Sequence, residues 1–231
     1  MKQPNAPSHI LILAPEITKG MKSIGSKALL TLHSDKSIID YQIQYLQKHY
    51  KKAKITIATG FEGDKIEKKT QKYNVDYTYN PNYEISNHGT SIELFLRSNI
   101  ADIKNLLIIS NGILLKNLLT FNVNESTIFT LQKPNGDYNL GINQHKIGSK
   151  LPYLFYGFPI RWTECVAFNK NAIETLEKII GLTNISQMFL FEIINKLIDQ
   201  NCKFTTSTVQ NKNIYKVSTV KNTKKAKSFY A

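Results

Sequence analysis

The stretch HILILAPEITKGMKSIGSKALL, residues 9–30, decides how the chain is read. An apolar run from Ile10 to Ala14 stops at Pro15. A polar loop carrying Lys19, Lys22 and Lys27 follows, and a second apolar run opens at Ala28. A strand followed by a basic loop is how many α/β proteins present a phosphate site, because loop amides and cations gather at the strand end. His9 to Ala14 therefore reads as a first strand.

The pattern continues outward. Ser37 to Tyr50 has apolar residues at Ile38, Ile39, Tyr41, Ile43, Tyr45 and Leu46, a helix burying one face. Lys54 to Thr59 is a strand closed by Gly60, Gly63 to Lys72 a short polar helix, and Val75 to Tyr79 a strand ended by Asn80-Pro81. Thr90 to Asn99 reads as a helix. Asn105 to Ser110 is apolar almost throughout, as expected of a central strand covered on both faces. This alternation predicts a mostly parallel sheet with crossover helices. Four strands follow, at Thr127–Gln132, Leu140–Lys146, Leu151–Tyr156 and Thr163–Phe168, with the first two joined as a hairpin by Pro134 to Asp137. Helices at Asn171–Ile180 and Ser186–Gln200, strands at Lys203–Val209 and Ile214–Val217, and a lysine-rich helix from Lys221 complete the chain. The expectation is one domain over 1–231: an αβα sandwich whose second half adds antiparallel strands to a mixed, mostly parallel sheet.

Composition sets bounds. A chain of 231 residues, 42% hydrophobic, can bury a full core. It has no apolar run of roughly 18 residues or more that would span a membrane, and MKQPNAPSH lacks an apolar signal core. Cys165 and Cys202 stand far apart without a metal-ligand pattern, which predicts a reduced, cytoplasmic setting. The net charge of +13 raises nucleic acid as a partner, but only Arg97 and Arg161 of the 30 basic residues are arginines. Sites that grip phosphate bidentately prefer arginine, so a solvated lysine surface is favoured over a nucleic-acid one.

Residues 9–30 resemble the signature loop of nucleotidyltransferases that join a nucleotide to a sugar phosphate or phosphocholine, roughly L-A-A-G-x-G-S-R-M…P-K-x-L. Leu13, Ala14, Met21, Gly25, Lys27 and Leu29 fit. Glu16 and Thr18 stand at the two loop glycines and Gly20 at the arginine. Thr59-Gly60 before an aromatic residue is also similar. NPNYEISNHGTS matches the family's N-P-x-Y-x-x-(S/T)-N-x-x-x-S through Asn80, Pro81, Tyr83, Ser86, Asn87 and Ser91, most like the choline-phosphate cytidylyltransferase branch. The resemblance implies a Rossmann-like fold, with 1–112 as the nucleotide-binding half and 113–231 as the acceptor half. It implies transfer from a nucleoside triphosphate to a phosphorylated sugar or alcohol, with Mg²⁺ if the protein is active. Lys27 would steady the phosphates, and Ala14, Lys19, Lys22, Asn87, His88, Gly89, Ser91 and Asn111 would contact the nucleotide.

Physically, Asn87, His88 and Gly89 read as a polar turn, with Thr90 or Ser91 capping the next helix and leaving N–H groups for a ligand. Mg²⁺ wants carboxylate oxygens. The family supplies one aspartate after the fourth strand and one near the C-terminus, where this chain has Ser110-Asn111-Gly112 and Val217-Ser218-Thr219. Glu16, Asp137 and Glu164 are candidate substitutes; Glu16 is the one placed with Lys27 in the catalytic set, and the metal ligands stay unassigned. Arg161, Trp162 and Glu164 form a candidate acceptor site, with Trp162 packing on a cation or a base; a strand end with an ion pair explains the same trio. Two further readings stay open: a catalytically silent relative acting as a binding or assembly module, and a polyanion binder using Lys216 to Lys227. A nucleotide-sugar glycosyltransferase ranks below these, because no D-x-D occurs.

Overall fold

Strand β1 (His9–Leu13) sends Ile10 and Ile12 to one core and Leu11 and Leu13 to another. Successive side chains of a strand point to opposite faces, so both faces of the sheet are covered. The computed structural model describes residues 6–17, 22–33, 35–131, 140–142 and 152–230. In chain order β1 is followed by β2 (Thr31–His33), β3 (Lys36–Ser37), α1 (Ile38–His49), β4 (Lys54–Thr59), α2 (Gly63–Thr70), β5 (Asp76–Tyr79), α3 (His88–Asn99), β6 (Leu106–Ser110) and β7 (Ile113–Leu115). Then come β8 (Ser126–Leu131), β9 (Leu140–Ile142), β10 (Leu154–Tyr156), β11 (Ile160–Phe168), α4 (Lys170–Leu182), α5 (Leu190–Asp199), β12 (Phe204–Val209), β13 (Ile214–Lys216) and α6 (Val220–Tyr230).

Among the described residues the main sheet has nine strands. β5, β4, β1 and β6 run parallel in that order. β11 lies antiparallel on β6, β8 lies antiparallel on β11, and β12 returns parallel to β8. Helices α3, α4 and α5 pack on the Leu11 and Leu13 face through Phe95, Leu176 and Ile194. Helices α1 and α2 cover the opposite face through Ile43, Leu46 and Ile66. This is the expected αβα sandwich with a mixed sheet and a parallel centre. A third, smaller cluster of Leu32, Ile38, Leu114, Val217 and Ala226 fastens α6 and the chain before it to the body. No helix among the described residues is long and apolar enough to cross a membrane.

Some expectations are corrected. Residues 134–137, the supposed hairpin turn, lie outside the described residues. Among the described residues the strands on either side, β8 and β9, are not paired with each other; each pairs with β11. Nine residues of β11 offer enough edge for both, and its register shifts between Trp162 and Val166. Helix α5 starts at Leu190, four residues later than predicted, because 186–189 form a separate loop against α3.

Asp40 shows how the α1 side is held. Its carboxylate is fully buried and accepts from the Ser37 amide (2.9 Å), the Ser37 hydroxyl (2.6 Å) and the Tyr73 hydroxyl (2.8 Å), with Lys72 Nζ at 3.0 Å. Burial raises its pKa, but these donors outweigh burial and leave the carboxyl below its ordinary value. Asp40→Asn puts a neutral amide among donors, leaving some unpaired. We expect a loss of about 1–2 kcal/mol in urea denaturation at neutral pH.

Candidate nucleotide site

The carboxyl ends of β1, β4 and β6 meet at one crevice, the usual ligand position of an open α/β sheet. The backbone closes there: Ala14 N–H donates to Ala58 O (2.9 Å) and Asn111 N–H to Leu13 O (2.8 Å). The basic loop leaving β1 is bracketed by the two residues just before α2. Phe61 N–H donates to Pro15 O (3.0 Å) on its near side, and Glu62 Oε2 accepts from Ser26 N–H (2.6 Å) on its far side. Gly25, at φ +95°, leaves room for this carboxylate, which lies 2.6 Å from where a Cβ would stand. Ser26 then starts the short turn that carries Lys27.

Lys27 is the buried cation of the crevice, at 5% exposure. Its carbons pass over Gly112, whose missing Cβ would lie 3.0 Å from Lys27 Cε and 2.7 Å from Val217 O. Its Nζ reaches Glu16 Oε1 at 3.6 Å, and Glu16 Oε2 faces His88 Nε2 at 3.5 Å. Leu190 N–H donates to His88 Nδ1 (3.1 Å), so that nitrogen is the acceptor and the ring presents Nε2 to Glu16. Glu164, in the left-handed region at φ +61°, pairs with Lys216. Glu16, Lys27, His88, Glu164 and Lys216 all line one cavity of about 180 Å³, alongside Trp162.

Burial raises the Glu16 carboxyl, but the hydrogen bond with His88 and the charges of Lys27 and Lys216 outweigh it and hold its pKa at about 2. The side chain is 41% exposed, so solvent screens part of the attraction. The folded value lies below the ordinary 4.5, so ionised Glu16 stabilises the fold fully above about pH 4.5. That contribution is lost as pH falls from 4.5 to 2. We expect the stability difference between wild type and Glu16→Gln, read by urea denaturation across a pH series, to be constant above that window and to shrink within it.

The sequence candidates separate here. Lys27, Glu16, His88, Trp162 and Glu164 come together. Lys19 and Asp137 lie outside the described residues. Lys22 is exposed and lines neither this cavity nor the larger one beside it. Ala14 is wholly buried beneath the crevice. Arg161 lines the larger cavity, of about 490 Å³. Trp162 is 5% exposed and its indole N–H donates to Cys165 O (2.9 Å), so it is a wall rather than an open stacking face. The trio lies within β11 rather than at its start, and the partner of Glu164 is Lys216.

The polar turn before α3 is corrected most. The helix begins at His88, not Thr90. Asn87 N–H is taken by Ser186 O and Gly89 N–H by Met188 O, both at 2.9 Å, and the Asn87 amide donates to Gln187 O (2.6 Å). Gly89 would place a Cβ 1.8 Å from Ile185 O, so glycine is what allows this contact. Ser91 is fully buried and receives the Asn80 amide at 3.1 Å, and the same amide donates to Ser86 at 3.1 Å. The spacing of Asn80, Ser86 and Ser91 thus builds the turn itself. Sequence reading missed Glu62 and the 185–190 loop, and it missed Lys216 as a site residue, because one lysine among many carries no local mark.

Asn111 is 1% exposed and its Oδ1 has no hydrogen-bond partner among the described residues. It is one neutral oxygen donor. Among the described residues no group of three or more His, Cys, Asp or Glu converges to hold a metal. The two carboxylates in the cavity are each paired with a lysine. This donor set does not fit a protein-built Mg²⁺ site.

No protein-family model matches the chain, and no curated protein matches it. Solved structures do. A CTP:phosphocholine cytidylyltransferase from Streptococcus pneumoniae superposes with a TM-score of 0.78 at 16% identity, covering 97% of this chain and 100% of that one. A nucleoside-diphosphate-sugar pyrophosphorylase from Vibrio cholerae gives 0.72 at 12%, covering 94% and 98%. An inositol-1-phosphate CTP transferase from T. maritima gives 0.69 at 12%, covering 98% and 96%. Over nearly its whole length, the chain has the fold of these structures.

Proposed function

We propose that this protein transfers a nucleotidyl group from a nucleoside triphosphate to a phosphorylated sugar or alcohol and releases pyrophosphate. The observation that carries the reading is the buried Lys27 ammonium, held by the Glu62 bracket and Gly112 at the crevice where β1, β4 and β6 end. The activities named for the superposed structures support the same class. In the reaction an acceptor phosphate oxygen bonds to the α-phosphorus, the bond from that phosphorus to the bridging oxygen breaks, and pyrophosphate leaves. Lys27 takes up charge on the departing phosphates. Lys216 stands between the two cavities, and Arg161, Trp162 and Glu164 belong to the acceptor side. Two lysine-paired carboxylates and one amide oxygen build no Mg²⁺ site of their own here. The cysteines and the absence of a long apolar helix among the described residues support a cytoplasmic setting, and one domain with a nucleotide half and an acceptor half accords with the continuous sheet.

A second reading, a silent relative that keeps the nucleotide pocket, is favoured by the lysine-paired carboxylates. The test is pyrophosphate release with each nucleoside triphosphate, with Mg²⁺ or Mn²⁺, and a panel of phosphorylated acceptors. Release that disappears in Lys27→Ala supports transfer; none across the panel overturns it and leaves the silent relative.

A further inference from the structure

Glu16 bridges two donors that come from opposite sides of the crevice. Its Oε1 lies 3.6 Å from Lys27 Nζ and its Oε2 lies 3.5 Å from His88 Nε2. Among the described residues, neither Lys27 nor His88 meets another carboxylate. His88 is fixed as a donor on this side. Leu190 N–H occupies its Nδ1 at 3.1 Å, and Phe189 packs edge-on against the ring with centroids 5.8 Å apart. A carboxylate and a phosphate each offer a pair of oxygens to a pair of donors. Glu16 therefore fills a position that a substrate phosphate fits in both shape and charge.

Two acids of the crevice are held very differently. Glu62 is 17% exposed, accepts from Ser26 N–H and meets Lys65 Nζ, both at 2.6 Å. Glu16 is 41% exposed, and both its contacts are longer than the roughly 2.7–3.2 Å of an ordinary hydrogen bond. Glu62 is fastened, whereas Glu16 has weak contacts and a way out to solvent. Charge balance gives the exchange its reason. Lys27 and Lys216 oppose Glu16 and Glu164 in the cavity of about 180 Å³, so its lysine and carboxylate charges cancel. A buried ammonium without a partner is costly, and Glu16 removes that cost until another anion takes its place. A triphosphate brings several negative charges, and like charges repel Glu16 at close range.

We propose that Glu16 is a built-in anion that yields to a substrate phosphate: a phosphate chain entering the crevice takes over Lys27 Nζ and His88 Nε2–H, and Glu16 swings out to solvent. The phosphate chain as the ligand rests on the transfer reading; the exchange of one anion for another at Lys27 and His88 does not. Glu16 then neither moves a proton nor holds a metal. It sets how tightly the crevice keeps an anion.

Isothermal titration of the full chain with inorganic tripolyphosphate and with CTP, in EDTA and in Mg²⁺, tests this. Glu16→Gln removes the charge at nearly constant volume and should tighten binding of both ligands about tenfold in EDTA. Glu177→Gln removes an equal charge at an exposed position of α4 that lines neither cavity, and should leave binding within about twofold. In the wild type, the His88 Nε2–H resonance, assigned by its loss in His88→Gln, should shift as tripolyphosphate is added. Equal tightening by the two glutamine variants at 16 and 177 would mean diffuse charge and overturn the exchange. Unchanged or weaker binding in Glu16→Gln would overturn it as well, and weakening confined to Mg²⁺ would mark Glu16 as a metal ligand. A His88 resonance unmoved at saturation would overturn it without any variant at position 16. Lys27-dependent triphosphate binding that Glu16→Gln leaves unchanged sinks this proposal and spares the transfer reading. Tightened binding in Glu16→Gln without any pyrophosphate release does the reverse.

Discussion

Lys27→Ala is expected to abolish measurable pyrophosphate release and to weaken nucleoside triphosphate binding by about 10- to 100-fold. A charged hydrogen bond to phosphate is worth about 1.5–3 kcal/mol, and the lost group here is 5% exposed, where water screens it little. Glu16 would lose a nearby cation while keeping His88 and Lys216, so an anion stays in the crevice and repels the incoming phosphates. Lys27→Arg keeps the charge but replaces a compact ammonium by a planar fork on carbons that run against Gly112, so we expect it to restore affinity only in part. Titration of triphosphate into Lys27→Ala, Lys27→Gln and Lys27→Arg separates charge from volume. Wild-type affinity in all three would mean that the triphosphate does not bind at this crevice.

Gly89→Ala is expected to destabilise the fold by about 3 kcal/mol or more. Alanine normally improves a helix by about 1 kcal/mol over glycine. Here the added Cβ would stand 1.8 Å from the Ile185 carbonyl oxygen and 2.7 Å from its carbon. Backbone cannot swing aside like a side-chain end, so overpacking wins over propensity. The 185–190 loop must retreat, giving up the Asn87 and Gly89 amide bonds and the Leu190 bond that orients His88. Denaturation should show the stability loss. A stabilised Gly89→Ala variant would show that this loop does not press on α3.

Much of the fold was legible in the residues. Ile10 to Ala14, Lys54 to Thr59 and Asn105 to Ser110 announce buried parallel strands because apolar runs of that length have few other uses, and the apolar stripe of 37–50 announces a helix. One boundary and one pairing differ from expectation, each for a local reason. Ser186 and Gln187 look like the polar first turn of a helix, but the carbonyls of residues 186–188 accept from Asn87 and Gly89 at the start of α3, so α5 begins only at Leu190. The hairpin was inferred from a turn motif, yet pairing is settled by which edge each strand finds, and β11 supplied it.

The site divides in the same way. By itself the sequence determined the strand-loop-strand frame, the lysine at position 27, the absence of acidic residues at 111 and 218, and the scarcity of arginine. Tertiary structure alone decided that Glu16 faces His88, that Glu164 meets Lys216, that Glu62 holds Ser26, and that Arg161 and Lys225 share a cavity. These partners lie 36 to 72 residues apart along the chain. Periodicity reports only which side of an element is buried, whereas electrostatic pairing and close backbone approach depend on distances of a few ångströms that exist only after the sheet has brought its strand ends together.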